Sequence, residues 1–224
     1  MVKNGKVMLQ AEHFPLEIDL TRTAMLVIDM QNAFCTKGAM FDLWGFDIST
    51  VPAIIPNIQA IIGAARSAKI KVISLAHVLY PDVREVGPMT SFWYNKVMIS
   101  FREKPQWRDK LLMRGTWGAD FIDELKPQPD EIVIEKQRFS AFAGTYLDIA
   151  LRTFDIRYLI VTGTATNICV ESSIRDACHL QYFPILVSDG AAASPPDRQH
   201  DAIENIKQCF GWVTNTRNVL NILK

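Results

Sequence analysis

Short apolar segments alternate along the chain with amphipathic segments, which is the pattern of an α/β protein. Continuous apolar runs of this length are typical of parallel strands that are buried on both faces. The predicted strands are 24–28, 71–76, 131–135, 158–162 and 184–188, with a shorter last candidate at 212–213. This alternation predicts a three-layer α/β/α sandwich with a mostly parallel, doubly wound sheet.

The clearest helix is predicted from Val51, because isoleucines recur there with a period near 3.6 residues. Ser49 and Thr50 are candidate caps, and Pro52 or Pro56 could occupy the first turn, so the pattern leaves the start open. The other predicted helical segments are 119–125, 146–154, the segment that begins near Cys169, 197–210 and a last turn at 219–223.

Three stretches are predicted to lie outside the regular elements. Residues 1–20 form an N-terminal arm in which Phe14, Leu16 and Ile18 alternate as in a short edge strand. Residues 30–49 are predicted as an irregular loop. The long stretch up to about Thr116 is predicted to be a functional lid or an interface segment, because compact domains rarely contain loops of that size without a role. We expect one domain over residues 21–224.

The composition excludes several classes of partner. The 224 residues carry 24 basic and 24 acidic side chains without a basic run, which argues against nucleic acid and anionic membranes. The N-terminus lacks the apolar core of a signal peptide, and no apolar run approaches the ~18 residues of a membrane span. The cysteines show neither a CxxC pair nor zinc spacing, which predicts a reduced, cytoplasmic protein. They are Cys35, Cys169, Cys178 and Cys209.

Three chemically useful residues follow predicted strands: Asp29, Lys136 and, after a short turn, Cys169. Asp and Lys are common in turns, so either alone would indicate only a strand end. Together they would meet at the carboxyl edge of the sheet, where open α/β folds bind ligands. A thiol in the first turn of a helix faces unpaired N–H groups and the positive end of the helix dipole, which favours thiolate. The pattern predicts a cysteine nucleophile with a carboxylate base and a cationic partner.

The segments around these residues resemble the isochorismatase-like cysteine hydrolases. They are 28–32 (IDMQN), 136–142 (KQRFSAF) and 163–170 (GTATNICV). The resemblance implies that Asp29 is the general base, Lys136 the electrostatic partner and Cys169 the nucleophile. It also implies a cis peptide between Thr164 and Ala165 and an oxyanion hole formed by the N–H groups of Ala165 and Cys169.

Within that family the chain is most similar to the ureidoacrylate amidohydrolases of pyrimidine degradation. The stretches that carry this similarity are 45–49, 114–117, 124–129, 136–140 and 210–213. The similarity implies hydrolysis of a C–N bond in a small ureido or amide compound through a thioester, by a homo-oligomer (a dimer or tetramer) without a cofactor. Biuret, N-carbamoyl amino acids and simple amides are the competing substrates.

No metal is expected, because nicotinamidases of the superfamily use an Asp-x-His-x-His site and none of the four histidines here has that spacing. The candidate substrate contacts are Asn32, Phe34, His77, Trp117, Phe139 and, for a substrate carboxylate, Arg138. Most of these residues could instead have a purely structural role. The aromatic residues could belong to the core, His77 could be a structural histidine, and Asn32 could cap its own turn.

The pocket departs from the pattern of the ureidoacrylate group. That group tends to have tyrosines in the substrate loop and near the lysine, where this chain has more apolar side chains. It also tends to have an asparagine followed by a glycine after the second strand, where this chain has other residues. The departures are Phe34, Met40, His77, Leu79 and Phe139. These differences bear on which substrate is expected and leave the type of reaction unchanged.

A different class of function remains open at this point. Gly163, followed by Thr164-Ala165 and later by Asp189, loosely resembles a dinucleotide-binding turn, although Ile168 occupies the third small position of that motif. A nucleotide-binding or non-catalytic module would not need Cys169. Substitution of Cys169 by alanine distinguishes these alternatives from an amidohydrolase.

Overall fold

The computed structural model describes residues 5–97 and 99–224, and a parallel sheet lies at its centre. In chain order the strands are β1 (Lys6–Leu9), β2 (Leu16–Asp19), β3 (Thr23–Ile28), β4 (Lys71–His77), β5 (Ile132–Lys136), β6 (Tyr158–Thr164), β7 (Phe183–Ala192) and β8 (Trp212–Thr214). The helices are α1 (Asn32–Cys35), α2 (Met40–Leu43), α3 (Val51–Ser67), α4 (Ile99–Glu103), α5 (Leu147–Thr153), α6 (Glu171–His179), α7 (Gln199–Asn205) and α8 (Thr216–Ile222).

The six-stranded sheet has the order β5-β4-β3-β6-β7-β8, and every neighbouring pair is parallel. The chain runs outward from β3 to β5, returns to β6 and runs outward again to β8. The direction of winding therefore reverses between β3 and β6, which is where such folds open a crevice for ligands. The doubly wound α/β fold predicted from the sequence is confirmed.

Alternate residues of the central strands face different layers. On β3, Met25 and Val27 pack into a core with Ile58 and Ile61 of α3. Ala24, Leu26 and Ile28 point to the opposite core, which includes residues of α5 and α6. Both faces of β3 are thus covered by apolar side chains, which explains why its sequence is apolar without alternation.

The structure corrects four local expectations. The N-terminal arm is an antiparallel pair, β1 with β2, and the stretch 30–49 contains α1 and α2 rather than only irregular loop. Residues 119–125 do not form one continuous helix; only a single 3-10 turn lies at Asp123–Leu125. They bridge to residues 30–32 through hydrogen bonds from the amide of Asn32 to Asp120 and from the amide of Ile122 to Met30, which replace helical bonds. Strand β7 extends to Ala192 because it pairs with the end of β6 beyond a register shift.

The stretch from Leu79 to Thr116 folds over the carboxyl edge of the sheet. It contains a wide helical turn at Trp93–Val97, α4, and a tight turn at Pro105–Lys110, and Leu79 bridges to Met113. Its apolar side chains join those of α1 and α2 in a third cluster. Among residues 5–97 and 99–224, no helix combines the length and the apolar character needed to cross a membrane.

Candidate active site

Asp29 lies directly beyond the last residue of β3 and is fully buried. Its backbone has a φ of 54°, a left-handed conformation that turns the chain sharply away from the strand. Its amide still donates to the carbonyl oxygen of Leu75 on β4, at 3.0 Å. The carboxylate is therefore fixed at the point where the winding of the sheet reverses.

Lys136 is the last residue of β5, two strands away, and reaches across the end of β4 towards Asp29. Its Nζ lies 2.8 Å from Oδ2 of Asp29, and both side chains are completely buried. The ammonium also donates to the carbonyl oxygen of Arg138, at 3.1 Å. Burial alone would lower the pKa of Lys136, but Asp29 and Cys169 outweigh it and raise that pKa. Burial raises the pKa of Asp29, and the charge of Lys136 offsets part of the rise.

The turn between β6 and the next helix carries Cys169. Gly163 has a φ of 117°, and a Cβ there would lie 2.1 Å from the carbonyl oxygen of Ile28. Only glycine lets β6 approach β3 so closely. The Thr164–Ala165 peptide bond is cis. A helical turn at Thr166–Val170 follows and runs directly into α6, so Cys169 lies at the entry of a helix.

The surroundings of Cys169 differ from the expected thiolate-forming site. The side chain is buried, and burial raises the pKa of its thiol; Lys136 lowers that pKa, but the nearby Asp29 raises it further. The preference for thiolate expected at a helix entry is thus opposed by burial and by the charge of Asp29. The thiol needs a base, and a carboxylate oxygen of Asp29 lies within 4.8 Å of its sulfur.

His77 ends β4 and completes the buried polar group at this edge. Its backbone is held by Gln31, whose side chain accepts from the His77 amide (2.8 Å) and donates to the His77 carbonyl oxygen (3.0 Å). Burial, with the charges of Lys136 and Arg138, holds the pKa of His77 well below 6.5, so the ring is neutral. Its Nε2 is buried without a hydrogen-bond partner in the described part of the chain.

Gln31 belongs to the IDMQN segment, 28–32, but the sequence alone indicated no role for it. It is fully buried, and its Nε2 also donates to the carbonyl oxygen of Ala119, at 2.7 Å. One side chain, two residues after Asp29, thus ties β4 and the 119–125 segment together. The signal in the sequence that could have indicated this role is the polar side chain directly after the apolar Met30.

Asp29, His77 and Cys169 each offer an atom within 4.8 Å of the others, a grouping that could hold a metal ion. The donor set would suit a divalent transition metal. The ammonium of Lys136 is already 2.8 Å from Asp29, however, and a second positive charge there would be repelled. The residues fit a proton-transfer site better than a metal site.

A cavity of about 540 Å³ opens beside Cys169. Its wall includes the predicted contacts Phe34, His77 and Phe139, and the edge of the Phe139 ring packs against Trp93 with 4.9 Å between ring centroids. The remaining lining residues are Met40, Phe41, Leu43, Trp44, Phe46, Leu79, Lys96, Ile99, Phe101, Glu103, Lys104, Trp107, Leu112 and Ile168.

The structure does not bring the other three predicted contacts to the cavity wall. Asn32 donates to the carbonyl oxygen of Trp117 and accepts from Thr36, so it braces its own turn. The Trp117 side chain is 45 % exposed elsewhere on the surface. Arg138 donates to the carbonyl oxygens of Gln137 and Glu85, and its guanidinium stacks on Trp93. These contacts hold the guanidinium against Trp93 and away from the cavity lining.

The parallel sheet, the buried Asp–Lys pair and the cysteine at the helix entry define a known class of α/β proteins. The family model for the isochorismatase domain matches residues 23–218. The chain therefore belongs to the isochorismatase family.

Two curated relatives and one solved structure place it more narrowly. The ureidoacrylate amidohydrolase RutB of Methylorubrum extorquens is 41 % identical over 216 residues, which cover 95 % of this chain and 87 % of the relative. RutB of Serratia proteamaculans is 43 % identical over 204 residues, covering 90 % and 82 %. A cysteine hydrolase from Pseudomonas syringae pv. phaseolicola matches with a TM-score of 0.80 and 30 % identity, over 100 % of this chain and 98 % of that one.

Proposed function

We propose that this protein is a cysteine amidohydrolase that cleaves a C–N bond in a small ureido or amide compound. The observation that carries the proposal is the buried arrangement of Asp29, Lys136 and Cys169 at one end of a cavity. The similarity to proteins named ureidoacrylate amidohydrolases supports a substrate with a ureido group. Biuret, N-carbamoyl amino acids and other small amides are the competing substrates.

The first half of the reaction forms a thioester. Asp29 takes the proton of the Cys169 thiol, and the sulfur attacks the substrate carbonyl carbon to form a C–S bond. The C–N bond breaks, and the leaving nitrogen receives the proton that Asp29 accepted. Lys136 stays charged and stabilises the thiolate and the carboxylate in turn.

The carbonyl oxygen becomes negative during the attack, and we assign its stabilisation to the amides of Ala165 and Cys169. The support is local geometry: the carbonyl oxygen of Ala165 accepts from the amides of Ile168 and Val170, which flank Cys169, so these bonds fix the wide turn that carries both proposed donors. Preorganised N–H donors of this kind stabilise an oxyanion strongly.

The second half returns the enzyme to its resting state. A water molecule enters after the amine leaves, gives a proton to Asp29 and attacks the thioester carbon. The C–S bond breaks, and the sulfur regains a proton from Asp29. The products are the acid and the amine, and neither a metal nor an organic cofactor takes part in a step.

Two further properties belong to this proposal. The nucleophile works only as a reduced thiol, so we assign the protein to the cytoplasm.

We also propose a homo-oligomer, a dimer or a tetramer, with the 80–116 segment as the contact. The exposed apolar side chains of Met89, Phe92 and Ile99 on that segment support this contact. Light scattering of the purified chain tests the copy number.

An ammonia-release screen over ureido and amide compounds tests the function. The wild-type protein should release ammonia from at least one compound, and the Cys169→Ala variant should lose turnover while keeping its circular-dichroism spectrum. Cys178→Ala provides the matched control, because this cysteine lies on α6 outside the cavity wall. The proposal fails if no compound is hydrolysed, or if Cys169→Ala is as active as the wild type.

A further inference from the structure

The end of the cavity nearest Cys169 has apolar walls. Phe34, Met40, Leu79, Phe139 and Ile168 line it together with the sulfur and the neutral ring of His77. Phe34, Met40 and Leu79 are themselves almost completely buried, so these side chains belong to the packed core and present a fixed surface. A fixed apolar surface favours a ligand that buries apolar area against it.

No buried lining residue of the cavity within the described chain carries a positive charge. Lys136 and Arg138 do not line the cavity; the first is paired with Asp29, and the second donates to two carbonyl oxygens and stacks on Trp93. The cationic side chains of the wall, Lys96 and Lys104, belong to exposed residues on the same segment as the acidic Glu103. A carboxylate placed between Phe34 and Phe139 would lose its hydration without a partner.

The cavity reaches the Asp29, Lys136 and Cys169 group only at the cysteine. Among the described residues its lining includes Cys169 but neither Asp29 nor Lys136, which are completely buried. The volume of about 540 Å³ is therefore available to the body of a substrate, whereas the leaving nitrogen, which faces the buried Asp29, is best supplied by an unsubstituted amide. Pockets of this size accommodate bodies as large as drug molecules. The substrate is therefore small at the scissile end and large at the other.

We propose that the preferred substrates carry a terminal carbamoyl group (CO–NH₂) attached to an apolar body at least as large as an aromatic ring. The inference rests on the proposed amidohydrolase function and specifies its substrate class. Such compounds share the carbamoyl end with a ureido acid but have a ring where the acid has its carboxylate. Ammonia is the leaving group, and the apolar body leaves with the acyl part after hydrolysis of the thioester.

A matched panel of compounds tests this substrate class. The aromatic probes are benzamide, phenylacetamide and phenylurea, and the acidic probes are ureidoacetate, 3-ureidopropionate and 3-ureidoacrylate. We expect kcat/KM, measured by ammonia release, to be at least about tenfold higher for the best aromatic probe than for the best acidic one. An equal or opposite preference overturns the substrate class while the proposed function stands. Release from none of the six compounds overturns the substrate class, and it overturns the proposed function as well only if biuret and the other small amides of the wider screen also release no ammonia.

A variant pair shows whether the apolar wall sets the preference. Phe139→Tyr adds one hydroxyl inside the cavity, and we expect it to lower the ratio of kcat/KM for aromatic over acidic probes several-fold. Phe183→Tyr adds the same hydroxyl on a strand end outside the cavity, where Phe183 is 37 % exposed, and should leave the ratio unchanged. An unchanged ratio in Phe139→Tyr, or equal shifts in both variants, contradicts a role of the wall.

Discussion

The ammonium of Lys136 lies 2.8 Å from Oδ2 of Asp29, and neither side chain reaches solvent. The two residues come from strands separated by β4, so the pair is formed only when the sheet is complete. A buried ion pair contributes little net stability, but removal of one partner leaves an uncompensated charge. The charge states of Asp29 and Lys136 therefore depend on correct assembly of the sheet, and loss of either charge should destabilise the fold.

Lys136→Met should lower the free energy of unfolding by about 3–5 kcal/mol, because it leaves the Asp29 charge unpaired in the interior. The double variant Lys136→Met/Asp29→Asn should recover much of that loss. Urea denaturation measures both values. Lys6→Met removes the exposed Lys6–Glu17 pair and should change nothing measurable. Strict additivity of the two buried substitutions would contradict the coupling.

Activity should fall on acidification with a midpoint above the ordinary aspartate value of 3.8. Asp29 must be unprotonated to accept the thiol proton, and burial raises its pKa, so protonation sets in at a higher pH than in a free aspartate. The pKa of His77 is also held well below 6.5, mainly by burial, so the variant His77→Gln is needed to separate its protonation from that of Asp29. The pH profile of kcat/KM measures the midpoint. Disappearance of the acid limb in His77→Gln would assign it to the histidine instead.

Gly163→Ala should destabilise the protein by roughly 3 kcal/mol or more, because the new Cβ meets the backbone of Ile28 at 2.1 Å and the φ of 117° is strained for alanine. Gly63 on α3 provides the opposite case, since a Cβ there meets no atom within 4 Å. Gly63→Ala should stabilise by about 0.5–1 kcal/mol. Thermal unfolding of both variants measures the contrast, and shifts of equal sign would argue against it.

Gln31→Leu should cost about 1–3 kcal/mol for each buried backbone group that it leaves unpaired. The groups at risk are the amide and carbonyl of His77 and the carbonyl of Ala119. Because Gln31 fixes the His77 backbone, KM should rise as well. Gln59→Leu removes a similar bond to the carbonyl oxygen of Glu124 at the surface and serves as the control. An effect no larger than that of Gln59→Leu would contradict a positioning role.

Chelation should leave turnover unchanged. The Lys136 charge next to Asp29 opposes cation binding by the Asp29–His77–Cys169 group. Dialysis against EDTA followed by the ammonia assay, with metal content measured in parallel, is the check. Loss of activity that added Zn²⁺ restores would make the group a metal site.

The sequence predicted that Asp29 and Lys136 meet at one edge of the sheet, because strand ends are strongly encoded. Apolar runs that stop at a polar residue place both at the same edge, since parallel strands end on the same side of a sheet. The burial of Cys169 was not predicted, because it depends on how the 79–116 segment folds over this edge, which no local pattern reveals.

Substrate contacts were harder to predict for the same reason. Asn32 and Arg138 lie close to Asp29 and Lys136 in sequence, but their side chains donate to backbone carbonyl oxygens elsewhere in the chain. The Trp117 side chain is exposed. Hydrogen bonds such as that from Arg138 to Glu85 join residues 53 positions apart and appear only in the folded chain. The cavity wall includes Phe34 on α1, which follows β3, His77 at the end of β4, and Phe139, which follows β5, because all three strands end at the same edge of the sheet.

The burial of Cys169 also bears on the chemical durability of the protein. Oxidants and alkylating reagents react with accessible thiolates, and Cys169 is 4 % exposed with a raised thiol pKa. Cys209, in contrast, lies on the surface. Iodoacetamide should therefore modify Cys209 first while turnover persists. A cysteine that serves as the proposed nucleophile would in this way be protected from adventitious oxidation by the same burial that raises the pKa of its thiol.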